Sequence, residues 1–174
     1  MIKVVGVDPG LAATGVAVVK GAGLSIESYS YGVITTSARL RLQDRLNHIY
    51  TKLSSLINDE IPDFIVVEDV FSLDKYPKSG IALGKVTGVI LLAGCRLNIP
   101  VMEISVREAK RVLTGSGSAG KQQLEESVRR RLNHLVRIKP YHASDALALA
   151  MIGLFRGEKA LASLKYHSSK TEKS

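Results

Sequence analysis

The sequence predicts one α/β domain built on a mixed β-sheet. Three observations carry this. "IKVVGVD" (2–8) and "FIVVE" (64–68) are short β-branched runs without a polar face, as strands covered on both sides are. Between them, "TGVAVVK" (14–20) and "LSIESYSYGVITT" (24–36) flank the turn "GAG", which reads as an antiparallel meander. From residue 39 onward, helical and strand periods alternate, which is the pattern of a helix-covered sheet. The length of 174 residues suits a single domain.

In chain order, three strands come first. Residues 39–57 then place Leu42, Leu46, Ile49, Leu53 and Leu56 at helical spacing. A helix crossover before "FIVVE" implies parallel pairing with an earlier strand. The segment "DVFSLDKYPKS" (69–79) reads as a mobile loop, followed by a helix over about 80–96. Pro100 opens the strand "VMEIS". Helices follow at about 105–113 and 120–133, separated by "TGSGSAG". "RIKP" breaks the chain before a last helix from about 143 into the 160s. The domain is read as 1–160, with 161–174 a basic tail lacking regular structure.

Hydrophobic residues make up 45%, enough for a core, and the formal net charge is +8 with a pI of about 9.7. Such a balance suits a polyanionic partner, nucleic acid or a membrane surface, as well as an ordinary basic protein. The one cysteine, Cys95, excludes a disulfide framework and points to a reducing, cytoplasmic setting. The longest apolar run, "GVILLAGC", is too short to span a bilayer, and no signal-peptide pattern opens the chain.

Asp8 closes the first strand and Glu68 the fourth. If those strands are parallel neighbours, both carboxylates emerge at one sheet edge, where ligands of such sheets bind. Buried acids need partners, and between two acids a divalent cation is the natural one. Taken singly, either acid equally reads as a loop cap or the partner of a lysine. In "YHASDALALAMIGLF", His142 and Asp145 stand three apart at a helix start and face the same way. Taken alone, they or Ser144 read as helix caps. Together, three acids and a histidine at element ends are what a two-metal phosphodiester site needs.

The motifs "GVDPGLAATGVAVV", "VVEDVF", "ALGKVTGVI", "TGSGSAGKQQ" and "HASDALALA" resemble the RuvC family of Holliday junction resolvases, over nearly the whole chain to about residue 155. The resemblance implies a ribonuclease H-like fold, a five-stranded mixed sheet flanked by helices. It implies catalytic and metal-binding roles for Asp8, Glu68, His142 and Asp145, with two Mg²⁺ or Mn²⁺ ions. Many members carry Asp where this chain has His142. A neutral imidazole is a softer ligand and favours Mn²⁺.

The resemblance also places Phe71 at the junction centre, where a ring stacks on an unpaired base, and Lys110 and Lys121 near the scissile phosphate. Gly120 stands where the family commonly has an acid, which leaves Lys121 with one partner fewer. The implied partners are four-way junction DNA, a second copy of the chain, and the RuvA and RuvB motor proteins.

Gly80, Gly84 and Gly88 form one stripe on the helix 80–96. They suit either close packing on the chain's own sheet or the implied dimer interface. The run "VRRRLNHLVRIK" (128–139) is a basic cluster, read equally as a phosphate-binding patch or a solvated face. Two other functions stay open: a non-catalytic junction- or RNA-binding protein of the same fold, and a fragment of an actin-like phosphotransferase, whose first phosphate loop "DPGLAATG" also resembles.

Overall fold

The computed structural model describes residues 1–69 and 77–171; the side chains of 77–79, 158, 160 and 162–171 lie outside that description. The elements run β1 (Ile2–Asp8), β2 (Ala13–Ala22), β3 (Ser25–Thr35), α1 (Leu42–Glu60), β4 (Phe64–Glu68), α2 (Pro77–Arg96), β5 (Val101–Ile104), α3 (Val106–Thr114), α4 (Lys121–Arg131) and α5 (Tyr141–Thr171). They form one five-stranded sheet in the order β3-β2-β1-β4-β5. β1, β2 and β3 are antiparallel neighbours. β4 pairs in parallel with both β1 and β5. The mixed sheet expected from the sequence is therefore present. Part of the segment read as a loop is instead helical, because α2 begins at Pro77, a residue suited to the first helical turn.

Helices cover both faces of the sheet. α1 and α2 bury Ile49, Leu53, Ile57, Val86, Ile90 and Ala93 against Val5, Val7, Ile65 and Val67. On the other face, α3, α4 and α5 close over Val4, Phe64 and Val66. Strand side chains alternate in direction, so Gly6 and Asp8 follow Val4 onto the α5 face. Glu68 follows Phe64 and Val66 onto the same face. The period of two thus decides which helix the two acids meet.

α5 can lie close to the sheet because the residues beneath it are small. A Cβ on Gly6 would sit 2.1 Å from the Ala146 carbonyl oxygen, and one on Gly15 would sit 1.9 Å from that of His142. Facing them, Ala143, Ala146, Ala150 and Gly153 form the small stripe of the helix. α5 carries helical backbone to Thr171, past the irregular tail expected from residue 161, and bends at Gly157 (φ 38°, ψ −116°). That left-handed backbone suits a residue without Cβ. Among the described residues, no helix is long and apolar enough to cross a membrane.

Candidate active site

Asp8 and Glu68 end adjacent parallel strands, one register step beyond the Val7–Val67 pair. Pro9 ends the strand, and the chain turns back through residues 9–12 into β2. The carbonyls of that turn are held one by one. The buried Thr14 hydroxyl donates to Gly10 O (2.7 Å), the Thr36 hydroxyl to Leu11 O (2.5 Å), and the Thr36 amide to Ala12 O (3.0 Å). Arg45 Nε donates to Thr36 Oγ1 at 2.8 Å and so ties α1 to the turn. Nothing in the sequence marks these residues as part of the site, since threonines beside small or β-branched strand positions occur in any sheet.

α5 supplies the other pair. His142 Nδ1 meets Asp8 Oδ2 at 2.5 Å, across 134 residues of sequence. With Nδ1 donating to Asp8, a proton or a cation is left to Nε2. Asp145, one turn on, is 8% exposed, and its Oδ1 has no hydrogen-bond partner. The reading of these residues as caps is not met. Ser144 lies inside the first turn and donates back to Tyr141 O at 2.8 Å. Asp145 is turned inward, toward the other acids.

The electrostatics follow from crowding like charges in a partly buried place. Burial pushes the Glu68 carboxyl up from 4.5 to about 8, helped by its contact with Asp8 and the charges of Asp8 and Asp145, and opposed by Lys121. Asp145 is raised to about 6, first by burial and then by Asp8, with Lys121, His142 and Lys110 acting against the rise. The Asp8 hydrogen bond raises His142 above its usual 6.5, against the effect of burial. Asp8 is thus the group to which Glu68, His142 and Asp145 each respond.

Lys121, the first residue of α4, acts on Glu68, His142 and Asp145 alike. The neighbouring Gly120 amide donates to Gln123 Oε1 (2.8 Å), which closes the helix start without an acid at position 120. Lys110 on α3 influences Asp145 only. Phe71, expected to stack on an unpaired base, lies outside the described residues.

Does a metal ion suit these donors? Among the described residues, no three His, Cys, Asp or Glu side chains are arranged to close on one ion. The Asp8–His142 and Asp8–Glu68 contacts occupy the donors instead. The chemistry nonetheless suits a hard divalent cation. Three carboxylates repel one another, and Asp145 carries an orphaned oxygen. A cation would offset the burial and the repulsion that raise Glu68 and Asp145, once Asp8 and Glu68 turn from each other.

The family model of the crossover junction endodeoxyribonuclease RuvC matches residues 4–153. A relative of that name from Caldicellulosiruptor saccharolyticus is 34% identical over 161 residues, 92% of this chain and 96% of that protein. One from Salinispora arenicola is 38% identical over 157 residues, 90% of this chain and 89% of that protein. Among solved structures, Thermus thermophilus RuvC in complex with a Holliday junction substrate superposes with a TM-score of 0.84 at 26% identity, covering 92% of this chain and 98% of that one. The expected ribonuclease H-like fold is thus present, and the RuvC family is one of divalent-metal-dependent nucleases. With the sheet, the gathered acids and these matches in agreement, the chain belongs to the RuvC family of crossover junction endodeoxyribonucleases.

Proposed function

We propose that this chain is a metal-dependent endodeoxyribonuclease that resolves four-way DNA junctions by paired hydrolysis of phosphodiester bonds. One observation carries the reading. Asp8, Glu68, His142 and Asp145 come from three distant segments and meet at one sheet edge, with the cation of Lys121 facing three of them.

Asp8, Glu68 and Asp145 would hold two Mg²⁺ or Mn²⁺ ions, with His142 contributing Nε2. When bound, such ions lower the pKa of water and stabilise the leaving 3′ oxygen. The chain's own residues do the rest. Lys121 and Lys110 attract the scissile phosphate and offset its growing charge in the transition state. The Asp8 carboxylate orients the His142 ring and fixes its tautomer. The threonine-held turn fixes the chain just past Asp8, which matters because a misplacement of about 1 Å can cost about a hundredfold in rate.

A four-way junction has two-fold symmetry, so symmetric cutting calls for two copies of the site. The exposed stripe of α2 supports a homodimer. Ile81 and Leu92 are 61% and 52% exposed, and open space surrounds a Cβ built on Gly84 or Gly88. Gly84 and Gly88 therefore do not serve packing on the chain's own sheet among the described residues. Cytoplasmic action beside RuvA and RuvB completes the proposal. The test is cleavage of a synthetic junction with and without Mn²⁺, by wild type and Asp8→Asn. Cleavage by wild type alone supports it. Junction binding without any cleavage favours a non-catalytic binding protein.

A further inference from the structure

The loop between α4 and α5 is built to present an apolar tip, although nothing in the described residues covers it. Leu135 is 92% exposed and Val136 is 70% exposed. The loop beneath them is firmly held. Glu125, 2% exposed, accepts from the Ile138 amide at 3.0 Å and from Arg129 Nε at 3.2 Å. Ile138 itself is fully buried. The His134 ring is seated between two tyrosines of β3, with Nδ1 2.9 Å from Tyr29 Oη and Nε2 3.2 Å from Tyr31 Oη. Both rings meet it edge-on. A loop anchored on both sides of its tip has its conformational entropy removed in advance, which favours binding.

The surroundings of the tip are cationic. Arg130, Arg131, Arg137 and Lys139 are all exposed, and the sequence from Arg129 to Pro140 contains no acid. Apolar side chains flanked by Arg and Lys are what minor-groove contacts require. The cations bind phosphates, and the apolar group meets sugars and base edges. The location agrees. Tyr31 pairs with Ala17, which pairs with Gly6, two residues short of Asp8. The anchor is therefore about 7 Å below the catalytic edge along the strands. Val136 and His142 are six positions apart, at most about 20 Å of chain, or about six base pairs along a duplex.

We propose that Leu135 and Val136 enter the minor groove of a junction arm leaving the active site, while Arg130, Arg137 and Lys139 hold its phosphates. This rests on the junction-cleaving function proposed above and assigns a further DNA-contact surface to it. A docking protein fits the site less well, because the cations ring the apolar pair rather than leaving a broad apolar face.

The test is binding of a fluorescent four-way junction in EDTA over a range of salt concentrations. It compares wild type with Leu135→Ser/Val136→Ser and with Arg137→Gln/Lys139→Gln. All the replaced side chains are exposed, so the thermal unfolding of both variants should match wild type. The apolar double variant is expected to bind about tenfold more weakly with the salt slope unchanged. The cationic one should flatten that slope by about two, close to one for each phosphate the variant no longer holds. Wild-type binding with both variants unchanged overturns the surface alone. Failure of the wild type to bind any junction overturns the function on which it rests.

Discussion

Replacing Glu68 by Gln should stabilise the metal-free protein while destroying its activity. The Glu68 carboxyl is raised from 4.5 to about 8 in the fold. For an acid with a raised folded pKa, the sign is unfavourable to folding. The cost is absent below the unfolded value near 4.5, grows as pH rises, and levels off above about 8. One pKa unit corresponds to about 1.4 kcal/mol, so at pH 8 the upper bound is roughly 4 kcal/mol. Glu68 is partly exposed, so solvent screening brings the realistic scale to about 2 kcal/mol. For a chain of this length that is about 4–8 °C in Tm. Gln keeps the shape and can donate to Asp8 without ever ionising. The assay is thermal unfolding in EDTA from pH 5 to pH 9, comparing wild type with Glu68→Gln. The variant should gain over wild type as pH rises from 5 to 8, with the difference smallest, under about 1 kcal/mol, at pH 5. Asp145 is raised in both proteins, so its contribution cancels. A pH-independent difference, or a variant less stable than wild type at pH 8, would refute the crowding argument. Junction cleavage by the variant should fall by at least about a hundredfold.

Three other outcomes follow from the same geometry. Gly15→Ala places a Cβ against the His142 backbone carbonyl; it should cost about 1–3 kcal/mol in denaturant unfolding and slow cleavage well beyond that loss, since the start of α5 must move. His142→Asp should lower the ratio of Mn²⁺- to Mg²⁺-supported cleavage toward one, and an unchanged ratio counts against His142 as a softer ligand. Gly84→Leu, on the exposed face of α2, should give a monomer in sedimentation; an unaltered dimer would move the interface elsewhere.

The fold was largely legible because its cues are local. The β-branched runs of β1 and β4 and the leucine spacing of α1 predict their elements directly. The end of α2 nearest the loop was not, since Pro77 reads equally as a loop residue and as a first helical residue. The acids proposed for the site were visible in the sequence, because Asp8 and Glu68 close otherwise apolar strands. Their arrangement was not. The direct Asp8–His142 hydrogen bond depends on how closely α5 approaches the sheet. That distance is set by Gly6 and Gly15, whose role shows only once helix and strands are superimposed. The Thr14, Thr36 and Arg45 contacts are likewise long-range in sequence and leave no periodic trace. The anchoring of His134 by Tyr29 and Tyr31 spans more than a hundred residues and converts a basic run into a fixed loop.

Whether the gathered acids cut junction DNA is settled by mapping the products from a synthetic four-way junction, labelled in turn on each strand, in the presence of Mn²⁺. Two nicks are expected at symmetry-related positions in strands of like polarity, and none with Asp8→Asn or on a linear duplex of the same sequence. Equal cutting of the linear duplex, or cleavage that survives Asp8→Asn, would overturn the assignment of these residues to junction cleavage.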